Sequence, residues 1–234
     1  MTQTGNLNLY RGNGLGGLSG PGTSIGTGWG GFPTLFSPGD FTGDRRSDLL
    51  GVSATGYLYR FAGNGVGRFT GSGVRIGSGW GGFTTLFSPG DFTGDGRSDV
   101  LGVSRNGDLY LYRGNGRGGF AGSGVRIGVG WGGFVNLFSP RDFTGDGRSD
   151  LLGVSSGGEM YLYRGNGLGG FTGSGVRIGS GWGGFVKVFS PGDFTGDRRS
   201  DVLGVKSNGF TYVYRGRGTG VFTGSGTKIT PGLS

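Results

Sequence analysis

Short stretches with a strand-like alternation of side chains recur along this chain, separated by glycine-rich segments. In residues 108–113, leucines fall at every second position with tyrosines between them, which is the two-residue period of a β-strand. Three nearby stretches, residues 85–92, 99–104 and 124–128, are rich in apolar, β-branched or aromatic residues and are bounded by turn-forming residues. No stretch has a helical period. The pattern predicts four short strands in this part of the chain.

The same pattern recurs at a spacing of 51 residues. A Gly-Trp-Gly-Gly-Phe segment marks each copy, with its tryptophan at Trp29, Trp80, Trp131 and Trp182. Repeats of this kind form solenoids, propellers or arrays in which neighbouring units share a core. Four antiparallel strands per unit are typical of a propeller blade, and a β-solenoid is the less favoured alternative because its coils are usually shorter. We therefore predict an all-β propeller in a single domain, residues 1–234.

The N-terminal residues 1–28 match only the second half of a unit. Residues 6–14 match the third strand and residues 23–28 the fourth, while the full repeats are 29–79, 80–130, 131–181 and 182–234. The main prediction is a five-bladed propeller whose incomplete blade is this half-blade, and the alternative is four blades with an N-terminal overhang. Because an incomplete blade exposes a sheet edge, we also expect the chain to form homo-oligomers through it.

Composition and charge exclude several classes of function. The chain has no cysteine and no histidine, so disulfides, zinc sites with these ligands and histidine-dependent triads are excluded. The net charge of +8 is spread over repeat positions such as Arg75, Arg126 and Arg177, which argues against nucleic-acid binding. The sequence contains no signal peptide and no stretch long enough to cross a membrane, so we expect no membrane insertion. The remaining acid groups recur symmetrically, so we expect no enzyme.

Twelve of the 14 acidic residues lie in four copies of one loop. The copy that starts at Asp91 reads Asp-Phe-Thr-Gly-Asp-Gly-Arg-Ser-Asp, with carboxylates at its first, fifth and ninth positions. Calcium takes about six to eight oxygen ligands and would compensate this concentration of like charge. We predict a structural calcium ion bound by the carboxylates and the third-position threonine of each loop, namely Asp40, Thr42, Asp44 and Asp48; Asp91, Thr93, Asp95 and Asp99; Asp142, Thr144, Asp146 and Asp150; and Asp193, Thr195, Asp197 and Asp201.

The alternative for these loops is that the aspartates cap turns and pair with arginines such as Arg97. Two departures from a calcium-loop pattern favour it. Threonine stands at the third position, where such a loop prefers Asp or Asn, and Arg45 and Arg198 stand at the sixth position, where glycine is usual.

The loops, each followed by Leu-Leu-Gly-Val or Val-Leu-Gly-Val, resemble the FG-GAP or VCBS repeat of integrin-like propellers. In that family an Asp-x-Asp-x-Asp-Gly-x-x-Asp loop connects the first two strands of a blade and binds structural calcium. The resemblance covers every full unit. It implies a propeller and is consistent with an adhesion or protein-interaction scaffold.

A second resemblance lies in residues 76–89, which read Ile-Gly-Ser-Gly-Trp-Gly-Gly-Phe-Thr-Thr-Leu-Phe-Ser-Pro. This stretch is similar to tachylectin, a five-bladed propeller lectin that binds N-acetylated amino sugars once per repeat. In this chain one glycine fewer precedes the tryptophan, and the acidic loop is an insertion. The resemblance supports five-fold geometry more than it supports a particular sugar.

The four tryptophans are the predicted carbohydrate-binding residues: Trp29, Trp80, Trp131 and Trp182. An aromatic face stacks on a pyranose ring, and adjacent glycines allow backbone donors to approach its hydroxyls. The alternative role for each tryptophan is a wedge between blades. We predict a secreted or cell-surface multivalent lectin whose partners are glycans, and the competing prediction is a non-catalytic scaffold for protein interaction or adhesion, stabilised by calcium.

Overall fold

The computed structural model describes residues 5–229, so the first four residues of the predicted half-blade and the last five of the fourth repeat lie outside the described part. Within this range the chain forms β-strands joined by turns, and each Gly-Trp-Gly-Gly-Phe segment contains a short 3₁₀ turn that starts at its tryptophan. The strands are β1 (Leu7–Leu9), β2 (Thr23–Gly26), β3 (Thr34–Gly39), β4 (Asp48–Val52), β5 (Leu58–Phe61), β6 (Val74–Gly77), β7 (Phe83–Gly90), β8 (Asp99–Ser104), β9 (Leu109–Tyr112), β10 (Val125–Gly128), β11 (Phe134–Arg141), β12 (Asp150–Ser155), β13 (Met160–Tyr163), β14 (Val176–Gly179), β15 (Lys187–Gly192), β16 (Asp201–Val205), β17 (Thr211–Tyr214) and β18 (Thr227–Ile229).

The strands pair in chain order into four antiparallel sheets of four strands, which we call the first to fourth blades: β3–β6, β7–β10, β11–β14 and β15–β18. β1 and β2 form a separate two-stranded sheet, the N-terminal hairpin. The fold is therefore an all-β propeller of four-stranded antiparallel blades. Its four blades match the stated alternative, and the five-bladed prediction is not confirmed, because the N-terminal segment provides only two strands.

Residue contacts divide the chain into two compact units. The first, Met1–Leu9 with Gly22–Gly132, contains both strands of the hairpin and the first two blades. The second, Tyr10–Pro21 with Gly133–Ser234, contains the loop between the hairpin strands and the last two blades. The expectation of a single domain stays a prediction.

The second blade shows how well local patterning predicts the strands. β8 has the predicted bounds, and β9 buries Leu109 and Leu111 while Tyr110 and Tyr112 are half-buried, as the alternation predicts. β7 starts and ends two residues earlier than predicted. It ends before Asp91 because that carboxylate accepts hydrogen bonds from the loop that follows. Within residues 5–229 no helix is long and apolar enough to span a bilayer.

The phenylalanine of each acidic loop is part of the core. Phe41, Phe92 and Phe143 are fully buried and Phe194 is 8% exposed. In the first unit the Phe41 ring lies 5.4 Å from the ring of Phe120 in the next blade. In the second unit the corresponding rings of Phe143 and Phe222 are 5.1 Å apart. Within each unit, one acidic loop therefore attaches its blade to the next through an apolar anchor.

Candidate functional site

The acidic loop of the second blade is organised by its own carboxylates. Asp91 Oδ1 accepts hydrogen bonds from the backbone N–H groups of Gly94 and Asp95 at 2.6 and 3.1 Å, and its Oδ2 accepts from Gly96 at 2.8 Å. Asp95 Oδ1 accepts from the Arg97 N–H at 3.0 Å. These contacts have the form of Asx turns, which the sequence allowed as the alternative to calcium. The other three loops repeat them.

The ninth-position aspartate of each loop is directed into the blade. Asp99 is fully buried, its Oδ2 accepts from the N–H groups of Phe92 and Thr93 at 3.0 and 3.1 Å, and its Oδ1 accepts from Gly114 at 3.0 Å. Burial raises the pKa of Asp99, and the hydrogen bonds from Gly114 and Phe92 act in the opposite direction. Burial likewise raises the pKa of Asp150. These aspartates, which also include Asp48 and Asp201, connect the loop to the end of the third strand of their own blade.

The loops fit calcium only in part. Within the described part of the chain, no three acidic side chains are grouped closely enough to hold a metal ion. The Thr93 hydroxyl is buried without a hydrogen bond of ordinary geometry, although it lies near enough to Asp99 to lower the pKa of that carboxyl. Asp91 and Asp95, at the exposed end of the loop, keep free acceptor capacity. Arg97 approaches Asp95 at 3.8 Å in a solvent-exposed pair, which contributes little on its own.

The four tryptophans predicted to bind carbohydrate are largely buried. Trp29, Trp80, Trp131 and Trp182 are only 8, 6, 7 and 5% exposed. The Trp80 ring packs 4.5 Å from Tyr112 and 5.2 Å from Phe120 between centroids. The backbone N–H of Trp80 donates to the Gly56 carbonyl of the preceding blade at 2.9 Å. Gly77 has no room for a Cβ because the Trp80 indole nitrogen lies against it. Aromatic neighbours pack against the rings of Trp29, Trp80 and Trp182, and the role of the four tryptophans in carbohydrate binding stays a prediction.

A cleft of about 410 Å³ nevertheless opens beside Trp29 in the first unit. The end of β2 and the start of the first blade form one wall, and the segment from Arg68 to Gly73 forms the other. The opening is thus lined by aromatic side chains, two hydroxyls, a guanidinium and glycine backbone. The lining consists of Ile25, Thr27, Gly28, Trp29, Phe32, Phe61, Arg68, Phe69, Gly71, Ser72 and Gly73.

Sequence reasoning identified Trp29 in this cleft but missed the opposite wall. The available signal was the Gly-Ser-Gly segment at residues 71–73, which recurs at 122–124, 173–175 and 224–226. Gly73 has no room for a Cβ because the Phe61 ring packs against its backbone. Arg68 has no counterpart, since the equivalent positions are Gly119, Gly170 and Val221.

Comparison with known proteins gives one family and one fold. The FG-GAP-like repeat matches residues 40–102 and 142–204, which together exceed half of the chain. No curated protein sequence matches it significantly. Among solved structures, the BP39L lectin from Burkholderia pseudomallei matches with a TM-score of 0.57 and 18% identity, covering 98% of this chain and 69% of the lectin chain. At this identity the similarity shows the fold alone.

Two further structures match less well. BBS1N, solved in complex with ARL6DN, has a TM-score of 0.40 and 15% identity over 80% of this chain and 52% of its own. The Dos1 propeller has a TM-score of 0.39 and 13% identity over 92% of this chain and 53% of its own. The chain therefore spans about half the length of these two proteins.

Proposed function

This chain belongs to the FG-GAP-like repeat family, and we propose that it is a multivalent carbohydrate-binding protein without catalytic activity. The observation that carries the proposal is the cleft beside Trp29. A sugar ring presents both C–H surface and hydroxyls, and the cleft offers aromatic edges next to hydroxyl, guanidinium and backbone groups. The tryptophan contributes its edge and the shape of the wall, while Phe61, Phe69 and Ser72 are the proposed contact residues.

Repetition of the lining supports several sites per chain. The Gly-Trp-Gly-Gly-Phe and Gly-Ser-Gly segments that form the two walls recur with each repeat. Open sites that rely on a few contacts bind single sugars weakly, and linked sites bind a glycan-covered surface much more tightly. N-acetylated amino sugars are the first candidates because of the tachylectin resemblance. The proposed location is outside the cell or at its surface, where such glycans are displayed.

Calcium is part of the proposal. Asp91 and Asp95, with their counterparts in the other loops, are the residues that would hold the ion. The remaining ligands would be backbone carbonyls and water, since Asp99 is engaged by three N–H groups. A bound ion would neutralise the paired carboxylates and stabilise the folded loop.

A glycan array tests the proposal, with and without calcium. The informative variant is Ser72→Trp, which places a large ring in the cleft, and Val66→Trp is the matched control because Val66 is 70% exposed and lines neither wall. We expect Ser72→Trp to weaken binding to a glycan surface and the fourfold variant at Ser72, Ser123, Ser174 and Ser225 to abolish it. Val66→Trp should bind like the unmodified protein.

The competing function is an interaction scaffold, which the FG-GAP-like family also supports. If the folded, calcium-loaded protein binds nothing on a broad array, the carbohydrate proposal is refuted and the scaffold takes its place. The same follows if the fourfold variant keeps its fold and still binds glycans.

A further inference from the structure

A second cleft, of about 460 Å³, lies in the first unit between the N-terminal hairpin and the first blade. Its apolar surface comes from Leu9 on β1, Ile25 on β2, and Leu49 and Phe69 in the first blade. Ile25 and Phe69 also line the cleft beside Trp29, so the two openings adjoin.

The chain contains covered copies of this surface. In the second blade, the position equivalent to Phe69 is Phe120. There the acidic loop of the preceding blade supplies the cover: the Phe41 ring lies 5.4 Å from Phe120, and the Phe41 carbonyl accepts a hydrogen bond from Gly118 N–H at 2.8 Å.

The second unit repeats the arrangement twice. In the fourth blade, the Phe143 ring lies 5.1 Å from Phe222, and the Phe143 carbonyl accepts from Gly220 at 3.0 Å. In the loop of residues 10–21, the Phe194 carbonyl accepts from Gly16 at 3.2 Å, and Leu18 packs against the cluster that contains Phe194. Each of these surfaces is thus covered by the phenylalanine of an acidic loop and bound through its carbonyl.

The first blade has the surface without the cover. Gly67 corresponds to Gly118, yet among the described residues no carbonyl accepts its N–H. In a complete blade, the covering loop connects strands one and two. The hairpin supplies only β1 and β2, which correspond to strands three and four of a blade. In the described structure β1 forms a ladder with β2 alone, so its other edge faces the position of the missing second strand.

We propose that this cleft is a docking site for a strand–loop–strand segment, the first half of an FG-GAP-type repeat, supplied by another polypeptide. A phenylalanine of the incoming acidic loop would pack on Phe69, its carbonyl would accept from Gly67, and its second strand would pair with β1.

Charge supports this occupant. Arg45, Arg46 and Arg68 line the cleft, and none of them forms an ion pair within residues 5–229. The corresponding segment of the second repeat, residues 83–104, contains three aspartates and one arginine and is therefore net negative. The cleft is basic where its proposed partner is acidic.

The test uses a labelled synthetic peptide with the sequence of residues 83–104 and the intact protein. We expect a complex of equal stoichiometry by fluorescence anisotropy and a raised melting temperature. The Phe92→Ala peptide should bind at least about tenfold more weakly, because it lacks the anchor. On the protein, Leu9→Asp should weaken binding, and Leu15→Asp, at a leucine that is 79% exposed and lines neither cleft, should not. Arg46→Glu is a second variant in case Leu9→Asp fails to fold.

Equal affinity for the native and Phe92→Ala peptides would overturn the proposal. So would a lack of peptide binding by the unmodified protein, or unchanged peptide affinity in both the Leu9→Asp and Arg46→Glu variants when they are folded. Sedimentation of the protein alone tests whether a second copy of the chain occupies the cleft. A dimer that the peptide dissociates would assign the cleft to a second copy of the chain instead of a separate segment. Glycan binding is measured independently on the Ser72→Trp variant, so failure of one proposal leaves the other standing.

Discussion

The buried aspartate of each acidic loop is expected to be the main stabilising carboxylate, and Asp99→Ala tests this. The substitution removes the acceptor of three backbone N–H groups. Two of these donors, on Phe92 and Gly114, are buried, and each buried donor left without a partner costs about 1–3 kcal/mol. The summed loss is about 2–6 kcal/mol. Desolvation of the ionised carboxylate, which raises its pKa, offsets part of that, so we expect a loss of about 3 kcal/mol.

Asp95→Ala in the same loop is the matched control. Asp95 accepts one hydrogen bond, from the exposed Arg97 N–H, and its ion pair is also exposed. Removing it should change the free energy of unfolding by less than about 1 kcal/mol when calcium is absent. The measurement is urea unfolding followed by tryptophan fluorescence in the presence of a chelator. A third variant, Asp99→Asn, keeps an acceptor for two donors but places an amide against the third, and should fall between the other two.

Equal destabilisation by Asp95→Ala and Asp99→Ala in chelator would refute the reasoning, because the loop would then depend on its exposed end. A loss with Asp95→Ala that appears only when calcium is added has a different meaning. It would identify Asp95 as a ligand without changing the role of Asp99.

Four further predictions concern the loops and the wedges. Because the pKa values of Asp99 and Asp150 are raised in the folded protein, these residues keep their protons to higher pH than in the unfolded chain, where the pKa is near 3.8. Their contribution to stability therefore falls as pH rises through the raised pKa. The Asp99→Asn/Asp150→Asn variant should lack this dependence in urea unfolding at several pH values. Arg45→Gly should stabilise by about 1 kcal/mol because Arg45 has φ 66°, whereas Gly96→Ala, at φ 80°, should destabilise by a similar amount. Destabilisation by Arg45→Gly or stabilisation by Gly96→Ala in chemical denaturation would contradict the strain argument. Trp80→Ala should destabilise by about 3–5 kcal/mol in the same assay, and a loss below about 1 kcal/mol would show that the ring is not a wedge. If the loops bind calcium, a chelator should lower the melting temperature and added calcium should restore it, whereas melting curves unaffected by either would leave the Asx turns as the full account of the loops.

The blades could be predicted from sequence because each strand carries its own signal. The Leu-Tyr alternation of β9 fixes its two faces, and the Asp-Val-Leu-Gly-Val pattern of β8 predicts a buried strand, without any information from distant residues. The loop hydrogen bonds also follow from Asp at the first position, since Arg45 and Arg198 at the sixth position donate to it as Gly96 does. These features are local, so a single repeat contains them.

The roles of individual side chains were less predictable because they depend on residues that are distant along the chain. The sequence places Trp80 in a glycine-rich segment typical of both a binding loop and a wedge. Its burial is decided by Tyr112 and Phe120, more than thirty residues away along the chain. The direction of Asp99 is likewise decided by the buried N–H of Gly114 at the end of the third strand. Composition cannot distinguish a carboxylate that binds an ion from one that binds its own backbone.

Both described clefts lie where the first blade adjoins the two-stranded N-terminal hairpin instead of a complete four-stranded blade. Phe69 and Phe120 occupy equivalent positions of successive repeats, yet of these two only Phe120 lies against the phenylalanine of a preceding acidic loop. The Phe69 ring packs against Trp29 and Phe61, and among the described residues it and the Gly67 N–H lack the partners that Phe41 provides for Phe120 and Gly118. Since a repeat protein buries its apolar faces only by stacking neighbours, the unit without a complete neighbour is where binding free energy is still available. The Ser72→Trp variant tests carbohydrate binding and the Leu9→Asp variant tests docking of the strand–loop–strand segment. The two tests are separate because each residue lines only one of the clefts.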